Sequence, residues 1–169
     1  MKRIAVLLSG CGVFDGSEIN EAVLSLLAIA SQGASYQCFA PNIEQLHVVN
    51  HLTGEVESNQ VRNVLVESAR IARGEILDTE QLNIELFDGL IIPGGFGAAK
   101  NLCDFAVKGA QCQVNPIVDK FVQQFIAAGK PIGFICIAPV MIPHFVKGAT
   151  GTIGQDTDTA AAFEQMGGI

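Results

Sequence analysis

The stretch "GKPIGFICIAPVMIPHF", residues 129–145, reads as a buried strand that is interrupted by Cys136 and turns helical past Ala138 and Pro139. A cysteine on such a strand-to-helix turn can serve as a thiolate nucleophile. Its sulfur then faces the N-terminus of the following helix, whose partial positive charge favours the anion. Free backbone N–H groups around it can hold an oxyanion. Ala138 is small, Pro139 has the fixed φ of a first helical turn, and Gly133 lies three residues before the cysteine. Phe134, two residues before it, is not small. Local pattern therefore leaves two readings open, a nucleophile on a strained turn and an inert thiol in a buried strand.

Two other segments bear on that choice. "IIPGGFGAAKN" runs from a strand into Pro93-Gly94-Gly95, where bare backbone can approach a ligand closely. The N–H groups of Gly95 and Ile137 are the expected pair of oxyanion donors. No Gly-Lys-Ser/Thr ending follows, which disfavours a phosphate loop. The loop "CGVFDGSE" and the start of the next helix carry Asp15, Glu18 and Glu21. An ionised carboxylate beside a thiol raises the thiol pKa, whereas a protonated carboxyl donates a hydrogen bond to sulfur and stabilises the thiolate. Glu18, at the start of the helix, is the expected partner of Cys136. Its ordinary alternative is an acid that complements the helix dipole. The histidines are His47, His51 and His144. His144 stands about two helical turns past the cysteine, so it is expected to point elsewhere. Without a neighbouring histidine base, amide hydrolysis is disfavoured.

The elements that must position these groups alternate along the chain. Strands are expected over 3–9, 34–40, 88–95 and 130–136, with a small hairpin over 46–58 turning near Thr53-Gly54. Helices are expected over 18–32 with Ser17 as N-cap, over 59–74, over 115–129 with Asn115 as cap and Pro116 first, and over 156–168. On the second of these, Arg62, Glu67, Arg70 and Arg73 are expected to form solvated ion pairs. Strands separated by helices imply a mainly parallel sheet covered on both faces, a three-layer α/β sandwich in one domain over 1–169. In such sheets, sites form at the carboxyl ends of strands, which selects the loop after the first strand, "PGGFGAAKN" and the turn at Cys136. The end, "QMGGI", follows a helix C-cap, and Ile169 reads as the first residue of another strand in a truncated chain.

Composition narrows the function classes. Hydrophobic residues make up 49% and charged residues 16% of the sequence, too apolar for disorder. No apolar run reaches the roughly 20 residues that cross a bilayer, so no membrane association is expected. The net charge of −7 offers no basic stripe for a phosphate backbone, which disfavours nucleic acid. The cysteines, Cys11, Cys38, Cys103, Cys112 and Cys136, are odd in number and form no CxxC. A metal finger and a disulfide framework are poor readings, and a reduced, cytoplasmic setting is expected. The thiols other than Cys136 read mostly as inert core or loop residues.

"LLSGCGVFDGSEINEAVLSLLAIA", "VVNHLTGE", "RNVLVESARIARGEI", "IIPGGFGAAKNLCDFA" and "GKPIGFICIAPVMIP" together resemble the ElbB-like (enhancing lycopene biosynthesis) branch of the ThiJ/PfpI superfamily. The resemblance covers essentially the whole chain. It implies a flavodoxin-like, class I glutamine-amidotransferase-like fold with Cys136 as elbow nucleophile, Glu18 as its carboxyl partner, and Gly95 and Ile137 as oxyanion donors. It also implies a further strand and helix beyond Ile169, a homodimer, and no cofactor or metal. The implied activity is glyoxalase-like, converting the small reactive aldehyde glyoxal to glycolate without glutathione, some of it reflecting deglycation, with an indirect link to isoprenoid biosynthesis. A regulatory protein that senses oxidants through Cys136 is the alternative of a different class.

Overall fold

The computed structural model describes all 169 residues. β1 (Arg3–Leu7), β2 (Ser35–Ala40), β3 (Ile76–Asp78), β4 (Gly89–Ile92) and β5 (Ile132–Phe134) form one parallel sheet in the order β3-β2-β1-β4-β5. β1 lies at its centre, with Val6 in register with Cys38 on one side and Ile91 on the other. Because both faces are covered, β1 is apolar without alternation: Ala5 and Leu7 face one layer, Val6 and Leu8 the other.

α1 (Ile19–Ser31) presents Ala22, Leu26 and Ile29, one helical face, to Val6, Leu8, Cys38 and Ala40, and Val64 of α2 (Val64–Ala72) joins the same layer. On the opposite face, α4 (Pro116–Ala127) packs Val118, Phe121, Val122 and Phe125 against Ala5, Leu7, Phe39 and Leu90. The Phe121 ring lies 5.3 Å from that of Phe39 and 5.6 Å from that of Phe125. Fully burying each such ring contributes about 1.5–3 kcal/mol. Short helices α3 (Phe105–Lys108) and α5 (Ile142–Phe145) and a terminal α6 (Thr157–Gln165) complete the chain. No helix is long and apolar enough to cross a membrane.

Several expected boundaries move for identifiable reasons. The N-cap of α1 is Glu18, not Ser17, because the Ser17 hydroxyl turns inward to accept the Ser9 N–H at 2.8 Å. The helix expected over 59–74 begins only at Val64. Asn63 caps it by accepting the Val66 N–H at 3.1 Å, and the residues before it pair with the segment at 44–45 through the Gln45 N–H to Arg62 C=O bond. Arg62 thus lies off the helix, yet Glu67 binds both Arg70 (2.8 Å) and Arg62 (3.6 Å), so ion pairs form, on a buried carboxylate and not on the solvated face expected. Arg73 instead adopts the left-handed conformation that ends α2. The hairpin over 46–58 reduces to one antiparallel bridge between Val49 and Val56, since the Val49 N–H is taken by the Asp15 carboxylate at 2.7 Å. β3, three residues long, is too short to show a period and was not expected. Ile169 donates its N–H to Ala149 and accepts from Gly151, each at 2.9 Å.

Candidate active site

The chain builds outward from β1 to β2 and β3, then returns to the other side of β1 for β4 and β5. The direction of winding reverses between β1 and β4, and the loops leaving those two strands diverge there, opening a crevice at the carboxyl end of the sheet. Backbone hydrogen bonds stitch the two loops together: Phe96 N–H to Val13, Gly97 N–H to Gly16 and Glu18 N–H to Gly94, at 2.8, 2.8 and 2.9 Å. Cys136 follows β5, beside β4, and so arrives at the same crevice.

Cys136 is exposed and adopts φ +58. Apart from Arg73 at a helix end, it is the one non-glycine residue with a left-handed backbone. Such a conformation costs about 1–2 kcal/mol for a residue with a Cβ, and strain of this kind collects at functional positions. Cys136 is therefore not sealed in a buried strand. The edge strand β5 stops at Phe134, Ile135 donates to Ile92 at 3.0 Å, and Ala138 donates back to Ile135 at 3.0 Å, closing the turn under the cysteine. A 3₁₀ turn, Ala138–Met141, then leads into α5. The N–H groups of Gly95 and Ile137 lie close enough to the sulfur to pull its pKa down, which brings the expected donor pair to Cys136.

The carboxyl group at the sulfur is Glu21, not Glu18. As N-cap, Glu18 has its carboxylate committed to the Glu21 N–H at 2.7 Å. Glu21 lies nearly one turn further on, on the side of α1 that faces the sheet, where its Oε2 accepts the Gly94 N–H at 2.9 Å and its carboxylate stands near enough to Cys136 to act on the thiol. The sequence placed both acids near the helix start. Only the cap geometry decides which one is free to turn toward sulfur. Glu18→Ala is therefore expected to lower stability in urea unfolding by about 1 kcal/mol, while the pH profile of Cys136 alkylation stays unchanged.

Burial and the charge of Glu21 push the Cys136 thiol above its ordinary pKa, and the Gly95 and Ile137 N–H groups pull it part of the way back. The glycines are steric necessities. A Cβ on Gly94 would strike the Cys136 Cβ and stand 2.6 Å from Glu21 Oε2, and one on Gly95 (φ +91) would strike the Glu18 amide and the Gly16 carbonyl. A cleft of about 390 Å³ lies over the sulfur, lined by Ile137, Thr152, Ile153, Gly154, Asp156 and Thr159. This C-terminal wall was not evident from the sequence. Its only signal is the Asp156 cap of α6, which accepts the Thr159 N–H at 2.8 Å.

None of the histidines acts on Cys136 or lines its cleft. His144 faces Asp119 at 3.4 Å, and His51 is held between the Val49 carbonyl (3.0 Å) and the Phe14 N–H (3.3 Å). A residue that sequence reasoning missed is Asn101, on a π-helical turn over Ala98–Leu102. Its buried amide donates to the carbonyls of Ser9 and Asp15, both at 2.9 Å, and accepts the Leu46 N–H at 2.9 Å, fixing the loop after β1. A lone asparagine in "GAAKN" carries no periodic signal that would single it out.

No protein-family model matches the chain. It is 47% identical over 165 residues to the human protein "Glutamine amidotransferase-like class 1 domain-containing protein 3, mitochondrial", covering 98% of this chain and 62% of that protein. The chain thus spans about three fifths of the length of the curated relatives it matches. A crystal structure of an isoprenoid biosynthesis protein with amidotransferase-like domain from Ehrlichia chaffeensis is 42% identical and superposes with a TM-score of 0.90 over 100% of this chain and 78% of the other. Glyoxalase III of Candida albicans, 14% identical, shares the fold at a TM-score of 0.57 over 95% of this chain and 71% of its own.

Proposed function

Since the chain belongs to the class I glutamine amidotransferase-like family, we propose that it is a cysteine-dependent, glutathione-independent glyoxalase-type enzyme that converts glyoxal to glycolate. The observation that carries this reading is an exposed, strained Cys136 with the Gly95 and Ile137 N–H groups and the Glu21 carboxyl close enough to act on its sulfur. Those parts suit addition to an aldehyde. They lack the histidine base that amide hydrolysis needs.

The Cys136 sulfur adds to one carbonyl of glyoxal, forming a C–S bond. The carbonyl oxygen becomes an alkoxide between the Gly95 and Ile137 N–H groups and then takes the thiol proton, giving a hemithioacetal. Positioned donors of this kind are each worth about 2.7–4 kcal/mol in the transition state. Glu21 then removes the hydrogen on the sulfur-bearing carbon as a proton and returns it to the neighbouring carbon. The hydroxyl proton of the first carbon passes to the aldehyde oxygen of the second, so the first carbon is oxidised to a thioester while the second is reduced to a hydroxymethyl group. Water adds to the thioester, the C–S bond breaks, and glycolate leaves with the thiol restored. No external oxidant or reductant is required.

The raised thiol pKa works against a standing thiolate in either reading, so aldehyde turnover is what separates an enzyme from an oxidant sensor. Membership of the ElbB-like branch and an isoprenoid connection belong to the same proposal, supported by the description of the Ehrlichia chaffeensis relative. So does a reducing cellular compartment such as the cytoplasm, although the human relative is named as mitochondrial. A homodimer is also part of this reading. The exposed stripe of Ile19, Val23 and Leu27 on α1 supports it, and sedimentation equilibrium is expected to give twice the chain mass, with Val23→Glu reverting it to the chain mass.

The assay is product identification by NMR with glyoxal, methylglyoxal and an early glycated amine. Glycolate appearing from glyoxal in the absence of amines is the expected result. Products arising only from the glycated amine, or no glycolate above a free-thiol background, would overturn it.

A further inference from the structure

Away from the crevice, the loop Asp104–Gln111 is pinched at its base. Cys103 and Val114 form an antiparallel bridge, the Asp104 N–H donates to Gln113 at 3.2 Å, and the Gln113 N–H donates to the Asp104 carboxylate at 2.6 Å. The pinch makes Cys103 and Cys112 diagonal neighbours across the bridged pair, close enough for each thiol to perturb the other's ionisation. Neither Cys11, Cys38 nor Cys136 has another thiol among the groups that perturb it. The third sulfur of the cluster is Met166 Sδ, 3.5 Å from Cys112 Sγ, at the C-terminal end of α6.

We propose that Cys103 and Cys112 are a redox-active dithiol that hydroperoxides convert to an intramolecular disulfide. The two members are unlike. Cys103 is 3% exposed and also donates to the Ala98 carbonyl at 3.4 Å, whereas Cys112 is half-buried and open to solvent. Proximity to Cys103 lowers the Cys112 pKa, while proximity to Cys112 together with burial raises that of Cys103. Cys112 is therefore the sulfur that meets the oxidant and Cys103 the one that resolves it.

In the first step the Cys112 thiolate attacks the hydroperoxide. An S–O bond forms, the O–O bond breaks, and the alkoxide leaves, taking up a proton as alcohol. In the second step the Cys103 sulfur attacks Cys112, the S–S bond forms, the S–O bond breaks, and hydroxide leaves with the Cys103 proton as water. The net change is dithiol plus hydroperoxide to disulfide, alcohol and water. The disulfide takes Cys112 from its contact with Met166. The opposite end of α6 carries Asp156 and Thr159, which line the cleft over Cys136, so oxidation of this pair acts on one wall of that cleft.

The test treats the whole protein with one equivalent of tert-butyl hydroperoxide, then denatures it, alkylates it with a maleimide and weighs it. The expected result is two fewer adducts than the five cysteines give when reduced, a cross-linked peptide joining Cys103 to Cys112, and recovery of both adducts with dithiothreitol. Cys136→Ser is expected to form the same cross-link, because the pair does not use that sulfur. Cys103→Ser is expected to leave Cys112 as a sulfenic acid captured by dimedone. Should that variant not fold, Cys112→Ser, at the more exposed position, is expected to keep Cys103 fully alkylatable after oxidation. Recovery of Cys103 and Cys112 as free thiols after Cys136 has been oxidised, or a cross-link from Cys112 to any other cysteine, would overturn the proposal.

Discussion

Glu21→Gln is expected to lower glyoxal turnover by roughly 10²–10⁴-fold while making Cys136 react faster with iodoacetamide at neutral pH. The two effects have opposite signs because the carboxylate does two things. As a base it moves the proton between the carbons of the hemithioacetal, and an amide cannot. As a charge it holds the thiol pKa up, second only to burial, and an amide does not. Removing the charge is expected to shift the thiol pKa down and so raise the thiolate fraction at neutral pH. This fixes the direction of the pH dependence. Wild-type alkylation rises about tenfold per pH unit from neutrality and levels off above the pKa of an ordinary cysteine, whereas the variant levels off at lower pH. Cys136→Ala supplies the floor, with no turnover and no alkylation at this position. A Glu21→Gln protein that turned over like the wild type would remove Glu21 from the chemistry. An unshifted alkylation profile would show that its charge does not reach the sulfur.

Asn101→Ala is expected to cost about 3–5 kcal/mol in urea unfolding, as large as truncating a core phenylalanine. The side chain is buried and each of its three hydrogen bonds ends on main chain: Ser9 C=O, Asp15 C=O and Leu46 N–H. Truncation leaves those three groups without their partner, each at about 1–3 kcal/mol before any water enters. The loop they hold is the one stitched to Gly94, Phe96 and Gly97, so the Gly95 donor loses its support as well. Cys136 alkylation in the folded variant is accordingly expected to lose its single, sharp pH profile. A variant with wild-type unfolding and an unchanged profile would show that the loop is held by other contacts.

The three loops that form the site could be read from the chain alone, because strand ends, glycine turns and helix starts are local. Residues 93–95 and 136 needed only the alternation of apolar runs with helical periods, and that alternation implies a parallel sheet whose carboxyl edge gathers them. α4 announced itself through Asn115, Pro116 and its apolar spacing, all features of consecutive residues. What the sequence left undecided was which members of each loop meet. Glu18 and Glu21 are equivalent to a reader of residue types. They differ only because the first backbone amides of α1 claim the nearer carboxylate, leaving the farther one to face sulfur across a glycine with no side chain to block it. The choice between a sealed and an exposed Cys136 likewise depended on β5 being an edge strand that stops at Phe134. Asn101, the α6 wall of the cleft and the pairing of Cys103 with Cys112 join residues distant in sequence or set across a loop. Such contacts are fixed by chain packing in three dimensions, and no local period encodes them.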